Sequence, residues 1–154
     1  MAVRPTIVLV HPEIPHNTGA IGRSCVALDM ELVLVRPYGF TLSDKQLKRA
    51  GLDYWQHVAL REYADWQAFL ADRDPRRGQM FLFEEDAPTS FYEPDYPEDA
   101  LLVFGSETKG LPSAIRNAHR ECEVSLPMRS AHIRSLNLAN TVTAAAYQAL
   151  RGKL

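Results

Sequence analysis

The sequence predicts an α/β fold in which residues 1–154 form a single domain around one largely parallel sheet. Short runs that are apolar throughout, such as Thr6–His11 and Glu31–Val35, have the composition of strands buried on both faces. These runs alternate with segments of helical periodicity, as they do when helices cover a parallel sheet. A length of 154 residues suits one domain with one hydrophobic core.

The first half of the chain alternates predicted strands and helices. Proline and glycine mark the ends of these elements, and Asn17 or Thr18 is a candidate cap for the first helix. Ile21, Cys25 and Leu28 lie on one face of that helix. In order, we predict a strand at Thr6–His11, a helix from about Asn17 to Leu28, a strand at Glu31–Val35, a short helix that Ser43 caps and Gly51 ends, a strand at Tyr54–Val58, and an amphipathic helix at Glu62–Ala71.

The second half continues the alternation. Two short apolar runs flank a proline-containing stretch, Asp86–Asp99, which we interpret as an irregular connection. The predicted elements are strands at Met80–Phe83 and Leu101–Phe104, a short helix at Pro112–Asn117, a strand at Cys122–Leu126, and a closing helix at Ser135–Arg151.

The charge of the chain argues against a protein that coats nucleic acid. The net charge is −2 and the pI about 6.2, so an RNA partner would have to meet a local basic patch. Two clusters could touch phosphates, although a solvated face is the safer interpretation of each. They are Lys45, Lys48 and Arg49, and Arg73, Arg76 and Arg77.

The cysteines and the apolar runs favour a cytoplasmic protein. Cys25 and Cys122 lie in separate apolar segments, which suggests reduced thiols rather than a disulfide framework. The apolar run Ile7–Val10 is too short for a signal-peptide core, and no later run is long enough to span a bilayer. The five histidines suggest no zinc-like spacing, so we expect no metal.

Three polar loops follow predicted strands, and we expect them to converge at one site. They are Pro12–Gly22, Gly105–Pro112 and Pro127–Asn137. In open parallel sheets, ligands bind beyond the carboxyl ends of the strands. The loops match neither the G-x-G-x-x-G fingerprint of dinucleotide-binding proteins nor the G-x-S-x-G motif of serine hydrolases.

Each loop also has a simpler structural interpretation. The first could receive an anion on helix-terminal N–H groups, or be a capped helix start with Arg23 in solvent. In the second, Gly105 permits close backbone approach and Glu107 could accept hydrogen bonds from a ligand, or the loop could be a polar turn. In the third, Ser135 and Asn137 could contact a ligand or cap the helix, whose small residues suit core packing or a dimer.

Taken in order, three segments resemble the three motifs of the SPOUT superfamily of RNA methyltransferases, in its ribose 2′-O-methylating branch. They are NTGAIGR (Asn17–Arg23), LVFGSETKGLP (Leu102–Pro112) and SLPMRSAHIRSLNLANTVTAAAYQ (Ser125–Gln148). In addition, PYGFTLSDKQLKRAGLDYW (Pro37–Trp55) is similar to a stretch of the minimal-length TrmL group. The resemblance covers nearly the whole chain, and three ordered motifs are far more specific than any one alone.

The resemblance implies a C-terminal trefoil knot, a homodimer whose site draws on both subunits, and S-adenosylmethionine (SAM) as methyl donor. Its matching positions place SAM contacts on Phe83, Gly105, Leu126 and Ser135. They place the polar residues of the active site on Asn17, Arg23, Glu107, Ser135 and Asn137. One departure lies in the third motif, where Arg129–Ile133 replaces an expected proline- and aspartate-containing stretch and is one residue longer.

The TrmL group methylates the ribose 2′-hydroxyl of the wobble cytidine or uridine of tRNA, and the resemblance implies that activity here. The family proposal makes Arg23 a base, but a guanidinium is ordinarily never deprotonated. We therefore interpret Arg23 as a group that stabilises the developing alkoxide. Two alternatives remain open: methylation of another tRNA position or of ribosomal RNA, and a non-catalytic α/β module that binds RNA or a nucleotide.

Overall fold

The computed structural model describes residues 3–41 and 53–154. Strands and helices alternate along most of this part of the chain. In order, they are β1 (Thr6–Val10), α1 (Pro15–Leu28), β2 (Glu31–Val35), a 3₁₀ helix (Asp53–His57), β3 (Ala59–Tyr63), α2 (Trp66–Arg73), β4 (Met80–Phe83), β5 (Leu101–Phe104), α3 (Ser113–Ala118), a 3₁₀ turn (Arg120–Cys122), β6 (Glu123–Val124) and α4 (Leu138–Ala149).

The six strands form one parallel sheet in the order β3-β2-β1-β5-β4-β6. Alternate residues of each central strand point to opposite faces. On one face, Ile7 and Leu9 of β1 belong to the apolar cluster that also contains residues of α1 and α4. On the other, Val8 and Val10 belong to the cluster that contains residues of α2 and α3. The prediction of a parallel α/β sheet covered on both faces is confirmed.

Most of the predicted central elements are also confirmed. β2, β4 and β5 have the predicted bounds, and β1 ends one residue early. Residues 86–99 form an irregular connection without a helix or a strand. Both cysteines are free, and Cys25 is buried. No helix in the described ranges is both long enough and apolar enough to cross a membrane.

The segment after the gap differs from the prediction. Tyr54–Val58 is not a strand, because its first residues belong to a 3₁₀ helix and the strand begins at Ala59. β3 is the edge strand and carries exposed polar residues, so no apolar run marked it in the sequence. The next helix begins at Trp66 rather than Glu62, because the side chain of Asp65 caps it by accepting the N–H of Ala68 at 2.8 Å. The predicted helix at Ser43–Gly51 lies outside the described residues.

Helix starts also required correction. α1 begins at Pro15 with Ile14 as its cap residue, so neither Asn17 nor Thr18 is the cap; both are buried in the first turn. α4 begins at Leu138 rather than Ser135, and the side chain of Asn137 caps it by accepting the N–H of Asn140 at 3.2 Å.

The C-terminal strand and the short helix before it are also displaced. The predicted strand Cys122–Leu126 is reduced to β6, and Ser125 extends it only by an isolated bridge to Ser90. The predicted helix at Pro112–Asn117 is α3, shifted by one residue.

Candidate active site

The three predicted loops meet at the carboxyl ends of the central strands through the side chain of Asn17. Its amide nitrogen donates to Glu107 Oε2 at 3.1 Å. Its amide oxygen accepts from Asn137 Nδ2 at 3.2 Å. Asn17 lies in the first turn of α1, Glu107 lies just after β5, and Asn137 caps α4. One buried amide therefore joins the three segments that the sequence predicted would converge.

Glu107 also holds the start of α1. Its carboxylate accepts the backbone N–H of Glu13 at 2.9 Å and that of Ile14 at 3.0 Å. No side chain of α1 itself caps this end of the helix. Glu107 therefore fixes the two residues that lead into α1, while the N–H groups of Asn17 and Thr18 in the first turn bond to the carbonyl of Ile14.

A second carboxylate ties the same two loops in the opposite direction. Glu13 Oε1 accepts both the backbone N–H of Thr108 at 3.0 Å and its hydroxyl at 2.7 Å. These hydrogen bonds from Thr108 lower the pKa of Glu13. The loop after β1 and the loop after β5 are thus joined by two reciprocal sets of contacts.

The loop after β5 is a tight turn that needs glycine at both ends. A Cβ on Gly105 would lie 2.0 Å from the carbonyl carbon of Gly110 and 2.1 Å from Leu111 N. Gly110 has φ +68°, in the left-handed region that favours glycine. The close approach expected at Gly105 is made by the chain's own backbone.

A cavity of about 290 Å³ opens beside this turn. Its lining includes the four residues that the motif match assigned to SAM, namely Phe83, Gly105, Leu126 and Ser135. Glu107 also lines it, whereas Asn17 and Asn137 do not. Asn17 donates to Glu107, and Asn137 donates to Asn17. Five of the eight predicted site residues therefore border one cavity, and two more support its wall.

Arg23 is the exception. It is exposed on α1, six residues after Asn17, which is about 9 Å along the helix axis and about 240° around it. Its guanidinium lies 5.3 Å from the ring centroid of Tyr54, whose hydroxyl donates to the carbonyl of Gly19 at 2.9 Å. The structure thus places Arg23 in solvent against an aromatic ring. Tyr54 was missed, although it lies in the quoted GLDYW segment.

Glu84 is a second residue that the sequence analysis missed. It follows β4 directly and lines the cavity. Its Oε1 accepts the backbone N–H of Leu111 at 2.6 Å. Burial raises the pKa of Glu84 above its usual value. No motif marked this residue, because its role depends on the turn that packs against it.

Arg116 fixes the acidic rim beside Glu84. Its guanidinium donates to Glu123 at 2.8 and 3.0 Å and to Asp86 at 2.7 Å. These contacts lower the pKa of both carboxylates. Arg116 is thus engaged by two carboxylates and makes no hydrogen bond to Glu84.

Two arginines of the third loop differ from those of the predicted basic cluster because they have no acidic partner among the described residues. Arg73 pairs with Glu31 at 2.7 Å and Arg76 with Asp99 at 2.6 Å, so those two members of the predicted basic cluster are neutralised within the chain. Arg129 and Arg134 are exposed and form no ion pair with any described residue. Lys45, Lys48 and Arg49 lie outside the described residues.

One further group of possible metal ligands lies away from this cavity. Ligand atoms of His119, Glu121 and Cys122 lie within 4.8 Å of one another. The sequence analysis overlooked the two-residue spacing between His119 and Cys122. These residues line a separate cavity that shares no residue with the first.

Comparison with known proteins gives consistent matches. The model of the SpoU rRNA Methylase family matches residues 4–147. A relative from Listeria monocytogenes, named putative tRNA (cytidine(34)-2′-O)-methyltransferase, is 44% identical over 148 residues, which cover 94% of this chain and 86% of the relative.

Two solved structures are similar in fold. One comes from a study of the 2-OH methylation of C/U34 on tRNA; it is 44% identical, has a TM-score of 0.88, and the match covers 96% of this chain and 95% of that one. A more distant structure, the SpoU methyltransferase AviRb of Streptomyces viridochromogenes in complex with AdoMet, is 24% identical with a TM-score of 0.85. That match covers 99% of this chain and 59% of that one.

Proposed function

The chain belongs to the SpoU rRNA Methylase family, and on that premise we propose that it transfers a methyl group from SAM to the ribose 2′-hydroxyl of the wobble cytidine or uridine of tRNA. The observation that carries the proposal is the joining of the three motif segments beside one cavity by Asn17, Glu107 and Asn137. The names of relatives that match over nearly the whole chain support the substrate. Family membership also implies the trefoil knot and a homodimer.

The residues of the cavity fit a ligand with an apolar ring and polar groups. Phe83 and Leu126 offer apolar surface, while Glu84, Glu107 and Ser135 offer hydrogen-bonding groups. A volume of about 290 Å³ lies near the lower end of the range for ligand pockets. We therefore assign SAM to this cavity, in contact with Phe83, Gly105, Leu126 and Ser135.

Methyl transfer makes specific demands on the protein. When bound, SAM supplies a methyl carbon on a positively charged sulfur that leaves as a neutral thioether. The ribose 2′-oxygen forms the new bond to that carbon and loses its proton as it does so. Holding two reactants in line can lower the barrier by about 7–11 kcal/mol in well-oriented models. Placement of the ribose is therefore the main contribution of the chain. We assign it to Ser135, which lines the cavity, while Asn137 supports the cavity wall through Asn17.

Arg23 provides the charge at the 2′-oxygen in this proposal. Because Arg23 lies off the cavity of its own chain, we assign it to the cavity of the partner in a homodimer. There its guanidinium would stabilise the developing alkoxide and hold the neighbouring phosphate with two parallel hydrogen bonds. The ring of Tyr54, whose centroid lies 5.3 Å from the guanidinium, would position Arg23. Glu107 and Asn17 would hold the turn that borders the reacting atoms.

Transfer of labelled methyl from SAM to tRNA tests the proposal. The tRNA is isolated from cells that lack this protein, and the product ribose is located by nuclease digestion and mass spectrometry. We expect label on the wobble ribose. Label elsewhere in tRNA, or only in ribosomal RNA, would keep the reaction and overturn the substrate. Binding of SAM and RNA without transfer would overturn the reaction in favour of a binding module.

A further inference from the structure

Glu84 is a cavity-lining carboxylate with an unused acceptor. Its backbone is fixed where β4 ends, because its N–H donates to the carbonyl of Val124 at 3.0 Å and its carbonyl accepts from Ala87 N at 3.3 Å. Oε1 accepts from Leu111 N, and Oε2 makes no hydrogen bond to a described residue. Arg116, the nearby guanidinium, is engaged by Glu123 and Asp86 instead.

Gly110 lets the turn after β5 lie close against the carboxylate of Glu84. A Cβ on Gly110 would lie 3.0 Å from Glu84 Oε2 and 3.1 Å from Oε1. The positive φ of Gly110 and this close approach both exclude a side chain there. The turn after β5 thus packs closely against a half-buried carboxylate, on the wall of the cavity to which we assign SAM.

A half-buried carboxylate with a spare oxygen favours a ligand that donates hydrogen bonds. Burial raises the pKa of Glu84, so its charged form lacks the hydration that it would have in water. A ligand hydroxyl that donates a hydrogen bond to Oε2 would replace that hydration. In dinucleotide-binding Rossmann folds, an acidic side chain accepts a hydrogen bond from a ribose hydroxyl of the ligand. Glu84 directly follows β4 and stands beside the glycine turn that follows its neighbour β5.

We propose that Glu84 is a nucleoside-binding residue whose carboxylate accepts hydrogen bonds from the ribose 2′- and 3′-hydroxyls of the methyl donor. The proposal deepens the proposed function and rests on it. Phe83 lies one residue earlier in the chain and lines the same cavity, so the nucleoside would contact two consecutive residues at the end of β4.

The ribose of the donor is uncharged and keeps its hydroxyls throughout the reaction. An interaction with it is therefore equally strong before and during methyl transfer, and its loss raises KM without changing kcat. A carboxylate beside the sulfur would behave differently, because the sulfur loses its positive charge as the methyl group leaves. Such a contact would favour the bound substrate over the transition state, and its loss would raise kcat.

Binding of nucleosides to Glu84→Gln tests the proposal without turnover. The carboxamide keeps an oxygen for the N–H of Leu111, so the turn is retained, and a thermal unfolding curve verifies the fold. The probes are 5′-methylthioadenosine, its 2′,3′-dideoxy analogue and S-adenosylhomocysteine, each measured by titration calorimetry. Glu93→Gln is the matched control, because Glu93 is exposed and does not line the cavity.

We expect Glu84→Gln to weaken binding of 5′-methylthioadenosine and S-adenosylhomocysteine by the same factor, about tenfold, since a carboxamide that keeps its oxygen for Leu111 turns its NH₂ group toward the ribose and loses the acceptor there. The dideoxy analogue should bind the wild type and the variant equally. An equal loss with the dideoxy analogue, or a loss only with S-adenosylhomocysteine, would place the contact elsewhere and overturn the proposal.

The same titrations distinguish this inference from the proposed function. Wild-type binding that Glu84→Gln leaves unchanged would remove the role of Glu84 and keep SAM as the donor. A wild type that binds none of the probes would remove the donor from this cavity, and the role of Glu84 with it. At saturating SAM, kcat of the variant should stay within about twofold of the wild type while KM rises.

Discussion

Replacing Glu107 by glutamine should destabilise the protein, because one carboxylate holds three donors from another loop. Oε2 accepts from Ile14 N and Asn17 Nδ2, and Oε1 accepts from Glu13 N, at 2.9–3.1 Å. A carboxamide keeps one acceptor oxygen. If that oxygen takes the position of Oε2, it still accepts from Ile14 N and Asn17 Nδ2. The NH₂ group then takes the position of Oε1 and faces the N–H of Glu13.

The magnitude follows from the bonds that change. A hydrogen bond to a charged group contributes about 1.5–3 kcal/mol, and a neutral one about half of that. One charged bond is lost and two are weakened, at a site that water reaches in part, so we expect a loss of about 2–3 kcal/mol in the free energy of unfolding. For a domain of this size, that corresponds to a decrease in Tm of roughly 5–10 °C.

Thermal unfolding followed by circular dichroism measures this loss, at one fixed protein concentration because a dimer makes Tm concentration-dependent. Glu98→Gln is the control, since Glu98 is exposed and its side chain makes no hydrogen bond or ion pair with a described residue. The control should unfold at the wild-type temperature. If Glu107→Gln also unfolds within about 2 °C of the wild type, the carboxylate is not the clamp that fixes the start of α1.

Four further predictions concern other parts of the site. Arg23→Lys keeps the charge but loses the two-pronged geometry, so it should retain less than about a tenth of the wild-type rate of methyl transfer; near-normal turnover would contradict the role of Arg23. Tyr54→Leu should lower that rate while Tyr54→Phe, which keeps the ring under Arg23, should lower it less; equal rates for the two variants would argue against positioning by the ring. Gly105→Ala should abolish binding of S-adenosylhomocysteine in calorimetry, since its Cβ would overlap the backbone of the turn, and retained affinity would refute that packing. Arg116 lowers the pKa of Glu123, so their ion pair stabilises the fold fully above the unfolded pKa of about 4.3 and less as the pH falls through the folded value. In urea denaturation, Glu123→Gln should therefore lose less stability than the wild type between pH 5 and pH 3. Equal losses for the two proteins would exclude this ion pair as the source of the pH dependence.

The central strands were predictable because a strand that is buried on both faces is composed of apolar residues. β2, β4 and β5 are apolar at nearly every position, and a strand covered on both faces cannot be otherwise. β3 pairs with a neighbouring strand on one side only and carries exposed polar residues, so its sequence had no comparable apolar run. The helix at Glu62 was misplaced for the related reason that β3 occupies its first residues.

The start of α1 could not be read from local sequence. Asn17 and Thr18 are good caps in isolation. The helix instead begins at Pro15, and the two residues that lead into it are held by Glu107, more than 90 residues away. Only the fold brings that carboxylate to this end of the helix.

The candidate site also contains residues that the sequence indicated and residues that only the structure shows. The motifs identified Phe83, Gly105, Leu126 and Ser135, and all four line one cavity. Glu84 and Tyr54 escaped notice because each acts through a neighbour from a distant segment, the turn at Gly110 in one case and Arg23 in the other. The six-residue spacing from Asn17 places Arg23 on another face of α1, but the sequence does not show which face borders the cavity.

The most direct test of the central claim removes the reacting oxygen. Two versions of a tRNA that the protein methylates are assembled from fragments, identical except that one carries a 2′-deoxyribose at the wobble position. Each is incubated with labelled SAM and the wild-type protein. We predict label in the ribose version and none in the deoxy version. Equal labelling of the two would contradict the account, because the methyl group would then be accepted by some atom other than the wobble 2′-oxygen.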